Sequence, residues 1–101
     1  MSYFLYKLIP PRPTFIQDMT AAEAQVMGEH GLYWSGLAGS GIAVVFGPVL
    51  DPAGGWGMAV VDTKDEGEAR VLGVNDPAIQ SGRGFRFEIY PMPRATLRKG
   101  V

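Results

Sequence analysis

The chain has 101 residues, 47% of them hydrophobic and 19% charged, with a formal net charge of -1. That length suits one domain, residues 1-101, and that balance excludes a disordered tail and offers no electrostatic footprint for DNA or RNA. With no cysteine there is no disulfide framework, no thiolate zinc cluster and no cysteine nucleophile.

In chain order, "YFLYKLI", Tyr3 to Ile9, is aromatic and β-branched and stops at "PPRP", where proline removes backbone donors, so a first strand is predicted there. The start "MSYFLYKLIPPRP" lacks the charged and apolar blocks of a secretory leader. No run approaches the roughly 20 apolar residues of a membrane helix. A cytoplasmic protein with no membrane partner is expected.

Thr20 stands three residues before Glu23, the spacing of a capping box, in which each side chain satisfies an unpaired N–H at a helix start. The helix should run to Gly39 or Gly41, because glycine favours the left-handed turn that closes helices. "IAVVF" and "GMAVV" flank "GPVLDPAGGW", whose Pro and Gly cluster predicts a hairpin with a long tip. Asp65 caps a shorter second helix reaching about Val74, ended by Asn75 and the Asp76-Pro77 pair. "FRFEIY", Phe85 to Tyr90, alternates as a fourth strand, and "PMPRATLRKG" should follow as an extended arm.

The order β-α-β-β-α-β is that of the split βαβ or ferredoxin-like motif, an α+β fold with a four-stranded antiparallel sheet and both helices on one face. "IAVVF" and "GMAVV" are apolar on both sides of the pleat, whereas a half-exposed strand should alternate. A homodimer packing sheet against sheet is therefore expected. The competing reading is that short apolar runs are simply strand centres of high β-propensity.

His30, the one histidine, lies in "GEHGLYW". At about 100° per residue, Val26, His30, Tyr33 and Leu37 form one stripe with Trp34 at its edge, so His30 should point toward the sheet. Gly28, Gly31 and Gly36 interrupt this helix at roughly 1 kcal/mol each relative to alanine. They leave room for close approach or a ligand, or are tolerated without purpose. Asp76 in "VNDPAI" is the candidate partner, since a carboxylate beside an imidazole fixes its tautomer and favours the protonated ring. Each has a structural alternative: a hydrogen-bonded core histidine, and a turn-initiating Asp-Pro.

"GLAGSG" lacks the lysine of a phosphate loop, Ser40 misses the nucleophile-elbow pattern, and no carboxylate-rich cluster suits a metal. Arg12, framed by prolines in "PPRPTF", is aimed at an anionic substrate group, pairs with a protein carboxylate, or is solvated. Arg94 in "PMPRA" has a similar frame and fits an arm that braces a subunit contact.

Together "YFLYKLIPPRPTF", "DMT", "EHGLYW", "FGPVLDPAGGWGMAVV", "NDPAI" and "YPMPRA" resemble the YCII-related family over nearly the whole chain. The "PPRPTF" loop is longer than in the shortest members. The resemblance implies a dimeric α+β barrel, with the helix histidine and the aspartate of the "DP" turn, His30 and Asp76 here, as an active-site pair. It implies proton-transfer chemistry, including dehydrohalogenation, on small aromatic or quinone-like compounds, without a cofactor or metal. On that reading Tyr33 and Trp34 wall the pocket and Arg12 holds a substrate oxyanion. The alternatives are a non-catalytic module that binds a small metabolite, and a structural subunit in which the pair only pins helix to turn.

Overall fold

Phe4, Tyr6 and Leu8 are buried while the residues between them are only partly so, the period-two signature of a strand with one face on a core. This is β1, Ser2–Ile9, in a computed structural model that describes residues 2–100. It occupies an inner position of a four-stranded sheet ordered β2-β3-β1-β4, with β2 at Ala43–Val49, β3 at Trp56–Thr63 and β4 at Arg86–Pro91. Every neighbouring pair is antiparallel, and the register places Tyr6 opposite Ala59 on one side and Ile89 on the other. The fold is α+β and ferredoxin-like, as the element order predicts.

Four helices accompany the sheet: α1 at Phe15–Asp18, α2 at Ala21–Gly39, α3 at Glu66–Val74 and α4 at Pro77–Gln80. At the start of α2 both halves of the capping box are present: Glu23 N–H donates to Thr20 Oγ1 at 3.1 Å, and Thr20 N–H donates to Glu23 Oε1 at 2.8 Å. Gly41, at φ 85°, supplies the left-handed turn beyond its end. Asp65 caps α3 by accepting from Glu68 N–H at 3.0 Å.

Strands β1 and β4 lie within one residue of the sequence reading; the hairpin and two short helices differ from it. β2 continues through Gly47, Pro48 and Val49, so the hairpin tip shortens to residues 50–55; β2 is an edge strand, where a proline costs no ladder bond. The single turns α1 and α4 were not expected, because four residues are too few to display a helical period. Asp76-Pro77 therefore starts an element as well as following one: Asp76 is the N-cap of α4 and Pro77 its first residue.

The helix-side face of the sheet, with Phe4, Tyr6, Leu8, Ala59, Val61 and Ile89, packs against Trp34 of α2, Ala69 of α3 and Ala78 of α4. Trp34, 1% exposed, is the centre of the buried α2 stripe rather than its edge. On the opposite face Val45, Val60, Leu5 and Tyr90 stand side by side across the four strands, with Val45 and Tyr90 about half exposed. Beyond Pro91 the chain forms neither helix nor strand among the described residues, and Met92, Ala95 and Leu97 border a depression with Tyr3, Val45 and Val60.

Candidate active site

Asp76 is fully buried, and its carboxylate is met by four hydrogen-bonding groups from three other parts of the chain. Oδ2 accepts from the Tyr6 hydroxyl of β1 at 2.9 Å and from the Trp34 indole N–H of α2 at 2.9 Å. Oδ1 accepts from the Ala78 amide at 2.8 Å, the bond that caps α4. His30 Nδ1 lies 2.9 Å from Oδ2 and 3.0 Å from Oδ1. An ionised carboxylate only accepts, so Nδ1 carries the hydrogen and the imidazole is held in one tautomer with Nε2 opposite.

Burial pushes the Asp76 carboxyl up, but the hydrogen bond and charge of His30, the Trp34 indole and the Ala78 amide outweigh it and leave the group below its ordinary value. The Tyr6 hydroxyl moves the opposite way. Burial, the charge of Asp76 and the hydrogen bond to it all raise its pKa, so at neutral pH Tyr6 is the proton-bearing donor of this bond.

No buried side-chain nitrogen or oxygen among the described residues lacks a hydrogen-bond partner. His30 Nε2 makes no hydrogen bond among the described residues, and the side chain is 14% exposed, so this nitrogen is open to the outside. The imidazole borders a cavity of about 340 Å³ between the sheet, α1, α2 and the β2–β3 hairpin, walled by Leu8, Phe15, Met19, Met27, Phe46 and Trp56. Ile16 of α1 reaches into space that a side chain at Gly55 of the hairpin tip would occupy, and both residues border the cavity.

The other residues singled out from the sequence fall elsewhere. Trp34 lies beneath His30, ring centroids 6.5 Å apart, and spends its N–H on Asp76. Tyr33 packs edge-on against Trp34 and donates to the Leu72 carbonyl at 2.7 Å, fastening α2 to α3. Neither borders the 340 Å³ cavity. Arg12 is engaged by protein carboxylates: Nε donates to Asp18 Oδ1 at 2.7 Å, and Nη1 and Nη2 donate to the two oxygens of Glu23 at 2.9 Å each. Nη2 also reaches the Asp18 carbonyl at 3.0 Å. Of the alternatives for Arg12, the structure presents pairing with carboxylates. Those pairs tie the proline-rich loop to α1 and the start of α2, and Arg12 lies outside the cavity lining.

Sequence reasoning missed Tyr6 as a donor to Asp76 and missed the second tryptophan, Trp56, as a wall. The signal for Trp56 was its place in the quoted "GGWGMAVV". Nothing local marks Tyr6, whose partner is 70 residues away.

The YCII-related domain model matches residues 1–93. The chain belongs to the YCII-related family. Comparison with curated proteins gives no match. No helix among the described residues of this YCII-related chain is long and apolar enough to cross a membrane.

Proposed function

We propose that this YCII-related protein is a small cofactor-independent enzyme of proton-transfer type. His30 Nε2 removes or delivers a proton at a small ring compound held in the 340 Å³ cavity. Asp76 holds the tautomer at Nδ1 and stabilises the imidazolium as it forms. In a dehydrohalogenation, Nε2 takes the proton of a C–H bond, the electron pair of that bond becomes the new C=C bond, and the halide departs from the neighbouring carbon. Trp34 serves as the floor on which the imidazole rests, and Tyr33 holds that floor against α3. The observation that carries the reading is the contact of Nδ1 with a buried, multiply anchored carboxylate while the opposite nitrogen faces an apolar cavity.

The test is solvent-deuterium incorporation into halogenated hydroquinones, lactones and cyclic ketones, followed by NMR. Wild type should accelerate incorporation into at least one class, and His30→Gln should lose about 10²-fold or more of that acceleration. Equal incorporation by wild type and His30→Gln would remove the proton-transfer role. It would leave a small-metabolite-binding module, a reading supported by the same cavity having only one titratable lining residue.

The reading includes a second copy of the chain on the outer sheet face. Leu5, Val45, Val60 and Tyr90 form an apolar row across all four strands of that face, and the four helices pack on the other side.

A further inference from the structure

From the lining of the His30 cavity we infer that its ligand is electrically neutral and donates a single hydrogen bond to Nε2, and that carboxylates and phosphates are rejected. This rests on the reading of that cavity as the ligand site, and it narrows the ligand by charge. No lysine, arginine, aspartate or glutamate borders the cavity, and His30 is its one titratable residue. Two cations of adjoining segments, Arg12 and Lys7, are engaged elsewhere. Arg12 has its Nε, Nη1 and Nη2 on Asp18 and Glu23. The Lys7 ammonium sits 4.6 Å from the centroid of the Trp56 ring, and Lys7 does not border the cavity.

An anion moved into such walls loses its hydration and gains no lysine or arginine as counter-charge, a costly kind of burial. A neutral body loses little. The imidazole sets the polarity of the one directional contact: in its neutral form, with the hydrogen held on Nδ1 by Asp76, Nε2 offers a lone pair, and the ligand brings the proton. Size adds a second limit. A cavity of about 150 Å³ holds one benzene ring, so about 340 Å³ has room for a fused or well-substituted ring and not for a long chain.

Calorimetric titration of the full chain at pH 7.5 with three naphthalenes of one shape tests this. 2-Naphthol should bind at least tenfold more tightly than 2-naphthoate, which is anionic, and at least threefold more tightly than 2-methoxynaphthalene, which has no proton to donate. Met27→Trp, or Ile16→Trp if the first variant folds poorly, should weaken 2-naphthol at least fivefold by filling the cavity. His30→Leu should abolish the preference for 2-naphthol over 2-methoxynaphthalene. Binding of 2-naphthoate as tight as that of 2-naphthol, or no binding of 2-naphthol at millimolar concentration, overturns the inference; so does 2-naphthol affinity indifferent to both tryptophan variants. The two readings fail separately. Deuterium incorporation that needs His30, together with a preference for 2-naphthoate, refutes the ligand class alone. A preference for 2-naphthol without His30-dependent incorporation refutes the proton transfer alone.

Discussion

Replacing Asp76 by asparagine puts an amide where the Tyr6, Trp34 and Ala78 donors and His30 Nδ1 converge. At least one N–H then faces another donor in a fully buried site. Asp76→Asn should cost about 3 kcal/mol of stability, read as a shift of the urea midpoint, and should release the His30 tautomer. Tyr6→Phe removes one bond to a charged acceptor and should cost about 1.5 kcal/mol while His30 keeps its contact. That variant separates the stability of the cluster from its chemistry. His30 and Asp76 were legible as a pair because "EHGLYW" and "NDPAI" each carry a distinctive residue type at a helix or turn position. The Tyr6 contribution was not, since strand alternation says which face a side chain takes and not which partner it meets across the sheet. Arg12 was equally illegible: its carboxylates lie 6 and 11 residues away, and only the turn of α1 brings both to one guanidinium.

The glycines of α2 and α3 make opposite demands on their elements. A Cβ at Gly28, Gly31 or Gly36 would meet nothing within 4 Å, so of the explanations open from sequence, close approach to the sheet is excluded at these three positions. Gly28→Ala and Gly36→Ala should each stabilise the protein by up to about 1 kcal/mol, visible as a rise in melting temperature. At Gly73 a Cβ would stand 2.5 Å from Phe87 Cε1, and Gly73→Ala should cost about 1–3 kcal/mol as α3 is pushed off β4. Long elements with end signals were readable: the capping box, Asp65 and the Gly41 turn lie where the residue pattern puts them. The short α1 and α4 were not, and they matter most to the site, since α1 contributes Phe15 and Ile16 to the cavity and α4 is capped by Asp76.

Across the whole molecule, acid and association are the two informative perturbations. The hydrogen bonds from Arg12, followed by that from the Thr20 amide, bring the Glu23 carboxyl from 4.5 to about 2. Asp76 is also held below its ordinary value. A carboxyl whose pKa is lower in the folded chain binds fewer protons there than in the unfolded chain. Its stabilisation is therefore complete above the unfolded value and is lost as pH falls through the folded one. Melting temperature should fall between pH 4.5 and 2, and Arg12→Gln should flatten the Glu23 part of that fall while lowering stability at neutral pH. Association is tested by sedimentation: wild type should be a dimer at micromolar concentration, and Val60→Lys, which sets a charge amid Leu5 and Val45, should shift it to monomer with the helix-side core intact. The element order and the apolar outer strands were enough to foresee the sheet and to expect a second copy. A pocket beside His30 was expected, but its walls were not foreseeable, because they come from five separate segments that no stretch of residues reveals together. One consequence follows from Asp76 Oδ1 capping the Ala78 amide while the same carboxylate orients His30. Fraying of the single turn Pro77–Gln80 would strip one of three tethers from the carboxylate that steadies the imidazole, leaving Tyr6 and Trp34 to keep the site armed.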